Sequence, residues 1–436
     1  MNQVRCGSVT ASYNREMSIR QLFLVMGLAV SCCLPAGAQS VPAVTSTLTL
    51  AQALQAAQNN LDVSLARRAF EAARGDVTAA DRAPTPVLTS KAASINLQNG
   101  IGGGNLLRDK RIEKAIGVDW TYERGNKREL RTQAAKSLAG AAESDVEDIK
   151  VQQQIATAVA YFDVLALQER ISEVAAIARS AAQLAATAQR RVQAGDLPAL
   201  DAARIEIEAQ RAATDLTSAQ IDRQRAMLVL AQYTGSNNPA ASSVQADWPV
   251  LQNLPTDTVY PFIETRADVR SALQRVEAAR ALLDTASAQR SRDLTLGTSF
   301  THFPGTSTRQ LEFRLQMPLN GFLGSYNFQG EIARAQAQLN QAEDALEKVR
   351  RLATADYQKL QQDRFGASAR ALSYEATILP RARKVAEMAE LAYSKGAMSL
   401  TELIDARRTL RSILIEALNA RTDNAKAATA WSIRNP

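Results

Sequence analysis

Between Lys127 and Ala194 the chain contains no proline. About 68 residues at ~1.5 Å each make a helical rod of ~100 Å. No compact soluble core needs such a rod, so its length must span something. The composition suits it. Aromatic residues make up 5% of the sequence, while Ala, Gln, Arg and Glu dominate, the palette of long helices packed through small side chains.

The rod belongs to a unit that occurs twice. The stretch "DVSLARRAFEAARGDVTAA" from Asp62 aligns with "DVRSALQRVEAARALLDTA" from Asp268, sharing Asp-Val and the Glu-Ala-Ala-Arg block at 71–74 and 277–280. Farther on, "AGDLPALDAARIEIEAQR" around Gly195 matches "KGAMSLTELIDARRTLRS" around Gly396. The apolar seam agrees at that offset: Leu403, Ala406, Leu410, Ile413, Ala417 and Ala420 answer Ala202, Ile205, Ala209, Ala212, Leu216 and Ala219. Steps of three and four are the coiled-coil period, so each copy carries an antiparallel helical hairpin folded at its glycine. In the second copy Pro380 interrupts the long arm, and a kink is expected there. The organisation read from this is a leader at 1–38, a first repeat at 39–236, a linker at 237–264 and a second repeat at 265–436.

Each copy also holds two short alternating segments. "AIGVDWTYE" sets Ile116, Val118, Trp120 and Tyr122 against Gly117, Asp119, Thr121 and Glu123; "LEFRLQMPL" sets Leu311, Phe313, Leu315, Met317 and Leu319 against Glu312, Arg314 and Gln316. This is the period of a strand with one apolar and one polar face. Their partners, 86–97 and 294–303, alternate less cleanly, and each pair reads as a hairpin. Isolated hairpins of this kind would expose apolar faces and open edges to water. Lipid outside and water inside suit the alternation, provided several chains pool their strands into a closed barrel.

The N-terminus reads as an export signal: a basic start at Met17 and Arg20, the apolar "LFLVMGLAV", and a small-residue cleavage site after Ala38. Acylation at Cys32 is a poorer match, because Ala29 stands where a larger aliphatic residue is usual. All three cysteines (Cys6, Cys32 and Cys33) precede Ala38, so cleavage there leaves no thiol for disulfides or thiolate metal sites. Cleavage also removes Arg5, Arg15, Arg20 and Glu16, lowering the net charge of +7 by two. The remaining positive charge is scattered among acids, which fits a solvated surface rather than a nucleic-acid stripe. Past the leader there is no apolar run long enough for a transmembrane helix.

With these features in order, the mature chain resembles the outer-membrane efflux protein family, the TolC-like factors. The residues that carry the resemblance are "LTLAQALQAAQNN" at the start, the repeated strand pairs and hairpins, "RRVQAG" and "YSKGAMSLTELIDA" at the turns, and "TRADVRSA" opening the second copy. Within the family, "YERGNKRELR" at 122–131 is similar to the cobalt-zinc-cadmium (CzcC-like) branch. The resemblance implies a mainly α fold with a small β part. It implies a homotrimer as well, with a twelve-stranded barrel in outer-membrane lipid and an α-barrel crossing the periplasm of a Gram-negative bacterium. It also implies partners, a periplasmic adaptor protein and an inner-membrane RND-type pump, and a passive exit duct for heavy-metal cations. The rival readings are a duct for drugs or secreted polypeptides, and a soluble periplasmic coiled-coil scaffold, which leaves the alternating strands unexplained. The chain departs from the family at Asn60, Ala267 and Arg290-Ser291, where proline is frequent, and at Met398, where well-known members carry an arginine.

Several residues are candidates for function. Glu402 and Asp405 lie three apart after the second turn and so share a helix face. Read alone they are solvated charge; in a symmetric trimer they would form two acidic rings, a cation-preferring constriction. The resemblance assigns Asp201 and Tyr393 to a network that ties the tips closed. The plain alternatives are an acid complementing a helix N-terminus and a tyrosine in the seam. Gly195 and Gly396 are turn residues, and with Arg191 they are candidates for adaptor contact. Trp120 and Tyr122 are placed in an interfacial aromatic girdle, Trp248 and Trp431 near the waist of the rod. His302 has no metal-ligand partner in the sequence nearby. "NGIGGGN" lacks the lysine and helix of a phosphate loop. No nucleophile-base pair or metal-ligand spacing emerges, so no enzyme and no cofactor is expected.

Overall fold

The computed structural model describes residues 47–95, 112–235, 243–251, 263–303, 308–321 and 326–435, together with 98, 102–105 and 109. The leader at 1–38, much of the linker at 237–264 and much of the "QNGIGGGN" loop lie outside the described residues.

The element order repeats as the sequence does. A short β1 (Thr47–Leu48) and α1 (Leu50–Ala57) lead into α2 (Leu61–Ala80), β2 (Val87–Ala93), β3 (Glu113–Tyr122), α3 (Lys127–Gln193) and α4 (Ala199–Thr234). After β4 (Ser243–Val244) come α5 (Ala267–Ala288), β5 (Leu294–Phe303), β6 (Thr308–Gln316), α6 (Gln329–Ser373), α7 (Leu379–Ser394) and α8 (Leu400–Arg434). The 67 residues of α3 make the rod, ~100 Å at the usual rise per residue. In the second copy α6 and α7 match it, joined by a π turn over Tyr374–Ile378 immediately before Pro380. The interruption expected at the proline takes this form because Pro380 has no N–H to give the α ladder, and the wider turn absorbs the mismatch.

All twelve seam positions are buried or half-buried. Small residues let the helices approach closely along most of the rod. Larger side chains gather at a waist halfway along α3, where Tyr161, Phe162 and Leu165 pack with Met227, Leu230 and Val244. Trp248 stacks on Phe162 with ring centroids 5.9 Å apart. Tyr161 donates to the carbonyl of Gln245 at 2.7 Å, with the Leu48 carbonyl at 3.2 Å, which pins the parallel β1–β4 pair to the rod. Trp431 packs on Tyr357 of α6 at 5.1 Å, on the other copy's long arm.

The two expected hairpins merge into one antiparallel sheet in the order β2-β3-β5-β6. The strand read at 311–319 runs instead from Thr308 to Gln316, so Met317 and Leu319 lie past its end. Register pairs put Leu88, Val118, Thr298 and Phe313 side by side on one face. Ile116, Trp120, Tyr122, Leu296, Phe300, Leu311 and Leu315 share that face and are exposed. The opposite face carries Asp119 paired with Arg314, and Thr121 hydrogen-bonded to Thr295 at 3.0 Å. A Cβ at Gly297 would collide with the Asp119 carboxylate, so glycine makes room for that ion pair. The sheet is therefore inside out relative to a soluble protein. Its polar groups pair with one another while its large apolar side chains face outward.

Candidate functional site

Two places carry chemistry: the hairpin tips and the junction between sheet and rods. At the junction, Gly125 and Asn126 adopt left-handed conformations (φ 78 and 55) that turn β3 into α3, and Phe328 does the same before α6 (φ 60). Lys127 is buried and its Nζ donates to Asp293 at 2.8 Å. Arg128 reaches Asp81 at 2.9 Å, and Arg131 reaches Glu123 at 3.0 Å. The basic run "NKRELR" is thus consumed in fastening the rod to the strand ends.

Both tips are built alike. Gly195 and Gly396 have φ of 75 and 74 with open space around them. The Asp196 N–H donates to the Arg191 carbonyl at 2.8 Å, and the Ala397 N–H to the Ala392 carbonyl at 2.9 Å. These closures between residues five apart satisfy carbonyls in the last turn of each arm. Arg191 is exposed and donates through Nε to Asp196 at 2.9 Å, stitching the first turn. Asp201 lies in the first turn of α4 and faces Arg204 at 3.8 Å, a weak surface pair. Tyr393 packs with Ala188, Ile205, Leu400 and Ile404 in a small core that joins the two tips.

Glu402 and Asp405 do not present equivalent carboxylates. Ser399 caps α8, and Glu402 folds back to accept its backbone N–H at 2.9 Å and its hydroxyl at 2.7 Å. Those bonds favour the charged form and hold the Glu402 carboxyl below its ordinary range. Asp405 is exposed and takes no part in the cap. The capping-box signature "SLTE" at 399–402 would have revealed the role of Glu402.

The sequence reading also passed over an arginine ladder along α8. Arg407 bonds Glu390 of α7 at 2.8 Å and Ser180 of α3 at 3.2 Å; Arg408 pairs with Glu208 of α4; Arg411 bonds Asp215 of α4 at 2.7 Å. Higher up, Arg421 meets Glu375 at 3.3 Å and Glu169 of α3 at 3.4 Å while stacking over Trp248 at 4.7 Å. The ladder clamps the second hairpin to the first. Its signal, "ARR" and "LR" recurring on one side of the seam, was present but indistinguishable from solvated charge. Among the described residues no group of His, Cys, Asp or Glu is arranged to hold a metal, and no helix is long and apolar enough to cross a membrane.

This architecture is the TolC-like fold of outer-membrane channels, mainly helical with a small sheet. A membrane protein from Pseudomonas aeruginosa superposes with a TM-score of 0.74 at 18% identity, over 88% of this chain and 93% of that one. The outer membrane protein VceC from Vibrio cholerae gives 0.71 at 17%, over 87% and 94%. In sequence the chain is similar to the cobalt-zinc-cadmium resistance protein CzcC of Cupriavidus metallidurans, 24% identical over 428 residues, 94% of this chain and 98% of that protein. No protein-family model matches the chain.

Proposed function

We propose that the protein is the outer-membrane channel of a tripartite efflux system, a passive duct through which heavy-metal cations leave the cell. The observation that carries the reading is the sheet. Its outward face is apolar and exposed, its inner face is charged and internally paired, and both edges, β2 and β6, are open to pair with further copies. Closing several such sheets into a barrel removes the edges and puts the apolar face in lipid. In a homotrimer this makes twelve strands in the outer membrane, with the rods extending into the periplasm. The similarity to CzcC supports metal cations as the cargo.

The rest of the assignment follows the same reading. Arg191, Gly195 and Gly396 are exposed at the tips, where a periplasmic adaptor would meet the rods, with an RND-type pump behind it. Asp201 and Tyr393 take part in tip closure. Asp405, with Glu402 behind it, lines the narrowest ring. With no metal-holding cluster among the described residues, selection among cations falls to the partners.

Two measurements test this. The protein should stay with outer membranes through a high-salt wash and leave only with detergent; release by salt alone would remove the barrel. A strain lacking the gene should become hypersensitive to at least one of cobalt, zinc, cadmium, nickel or copper ions. Hypersensitivity confined to drugs and dyes would replace the cargo assignment.

A further inference from the structure

We propose that Glu312 makes a second charge-selective ring, inside the strand barrel and apart from the hairpin tips, that favours cations over anions in the duct. The inference rests on the barrel reading given above and deepens it. The ring sets the sign of charge that passes, while the choice among metal ions stays with the partners.

Register fixes which charges face inward. The polar face of the four strands carries three acids, Glu113, Asp119 and Glu312, against two cations, Lys91 and Arg314. Two of the acids are answered within the sheet. Lys91 reaches Glu113 at 3.4 Å, with the Ser94 hydroxyl at 3.2 Å on the same carboxylate, and Arg314 pairs with Asp119. Glu312 has the Ser299 hydroxyl at 3.4 Å and, among the described residues, no cation. The face therefore keeps one unneutralised carboxylate per chain.

The two inner cations are committed elsewhere. Arg314 is two residues along the same strand, but its guanidinium lies across Gly297 toward Asp119, within its own row: a Cβ on Gly297 would meet Nε and Nη2 of Arg314 at 3.3 Å. Lys91 stands in the row Lys91, Ala115, Thr301 and Gln310, three strand spacings from β6, about 14 Å. The row of Glu312 itself holds Ser299, Gly117 and Thr89. These side chains are small, so nothing bulky covers the carboxylate, and Glu312 is exposed. It is also the middle residue of β6, between Leu311 and Phe313, which are exposed on the opposite, outward face. The charge thus sits at the height of the apolar band, where a low-dielectric wall focuses its field into the water path. Three copies in a homotrimer close it into a ring, the arrangement that favours cations in a pore.

The test records the full-length protein in planar bilayers under potassium chloride gradients, near 0.1 M and again near 1 M. Glu312→Gln should lower the cation-to-anion permeability ratio at least about twofold at the lower salt and by less at the higher, where screening shortens the reach of the charge from about 10 Å to about 3 Å. Glu312→Asp should stay near wild type. In Glu312→Cys, an anionic water-soluble thiosulfonate should restore the ratio and a cationic one depress it further, while wild type responds to neither. An unchanged ratio in Glu312→Gln, a shift no smaller at high salt, or a Glu312→Cys that neither reagent alters overturns the ring. If Glu312→Gln forms no channels, Glu312→Cys before and after each reagent is judged by the same criteria. A protein that conducts and needs detergent for extraction but shows no effect at this position loses the ring and keeps the duct reading, whereas one released by salt loses both.

Discussion

Arg408 of α8 forms an ion pair with Glu208 of α4, and one turn farther Arg411 reaches Asp215 of the same helix at 2.7 Å. The two hairpins of one chain cannot move apart at this level without breaking both bonds. Each pair is partly exposed, so its worth is no more than about 1 kcal/mol. Arg408→Ala/Arg411→Ala should therefore leave the fold intact and enlarge the duct. Planar-bilayer recordings are expected to show a higher single-channel conductance than wild type, and an unchanged conductance would remove the ladder from gating.

The same pair predicts a pH response. The Arg408 hydrogen bond is the largest influence on Glu208 and holds its carboxyl below the ordinary range. A depressed acid contributes its stabilisation above the unfolded-state value and loses it as pH falls through the folded one. The clamp should hold through neutral and mildly acid conditions and loosen only below about pH 4. Conductance of Glu208→Gln should lack this acid limb.

At the tip, the capping box makes Glu402 and Asp405 unequal. Asp405→Asn should lower cation preference, read as reversal potential in a salt gradient, more than Glu402→Gln does. On the constriction reading proposed above, Ser399→Ala, which frees the Glu402 carboxylate from its cap, should raise it. Equal effects of the two acid substitutions would mean that the Glu402 side chain leaves its cap in the assembled channel.

Gly396→Ala is expected to cost about 1 kcal/mol from the left-handed backbone alone, since nothing lies near the added methyl group. Gly297→Ala has ordinary φ but displaces Asp119 from Arg314, and should disturb sheet assembly rather than the tip. Heat-modified mobility of the assembled protein on gels separates the two: the first variant stays near wild type, the second loses the assembled band.

Tyr161 supplies a check on the waist. Burial pushes its phenol up to about 12, the largest cause of the shift, so the folded state keeps it protonated. With a raised folded value, the stability it supplies is constant below the unfolded-state value near 10 and declines as pH rises from there toward 12. Tyr161→Phe should lower unfolding stability by about 1–3 kcal/mol through the orphaned Gln245 and Leu48 carbonyls. It should also flatten that alkaline decline. A variant as stable as wild type would show that water replaces the hydroxyl.

Much of the architecture was legible in the chain because it is written in local periods. The steps of three and four from Leu403 to Ala420 and from Ala202 to Ala219 dictate a buried seam whatever surrounds them. The alternation from Ile116 to Tyr122 dictates a two-faced strand, and Gly195 and Gly396 mark the folds of the hairpins. Tertiary structure decided what depends on which segments meet. The joining of β3 to β5 makes one sheet of two hairpins and sets Asp119 beside Arg314. The arginines of α8 looked like solvated charge until α4 supplied Glu208 and Asp215. Periodicity fixes the face a side chain occupies, whereas the worth of a charge depends on the partner that packing brings within a few ångströms.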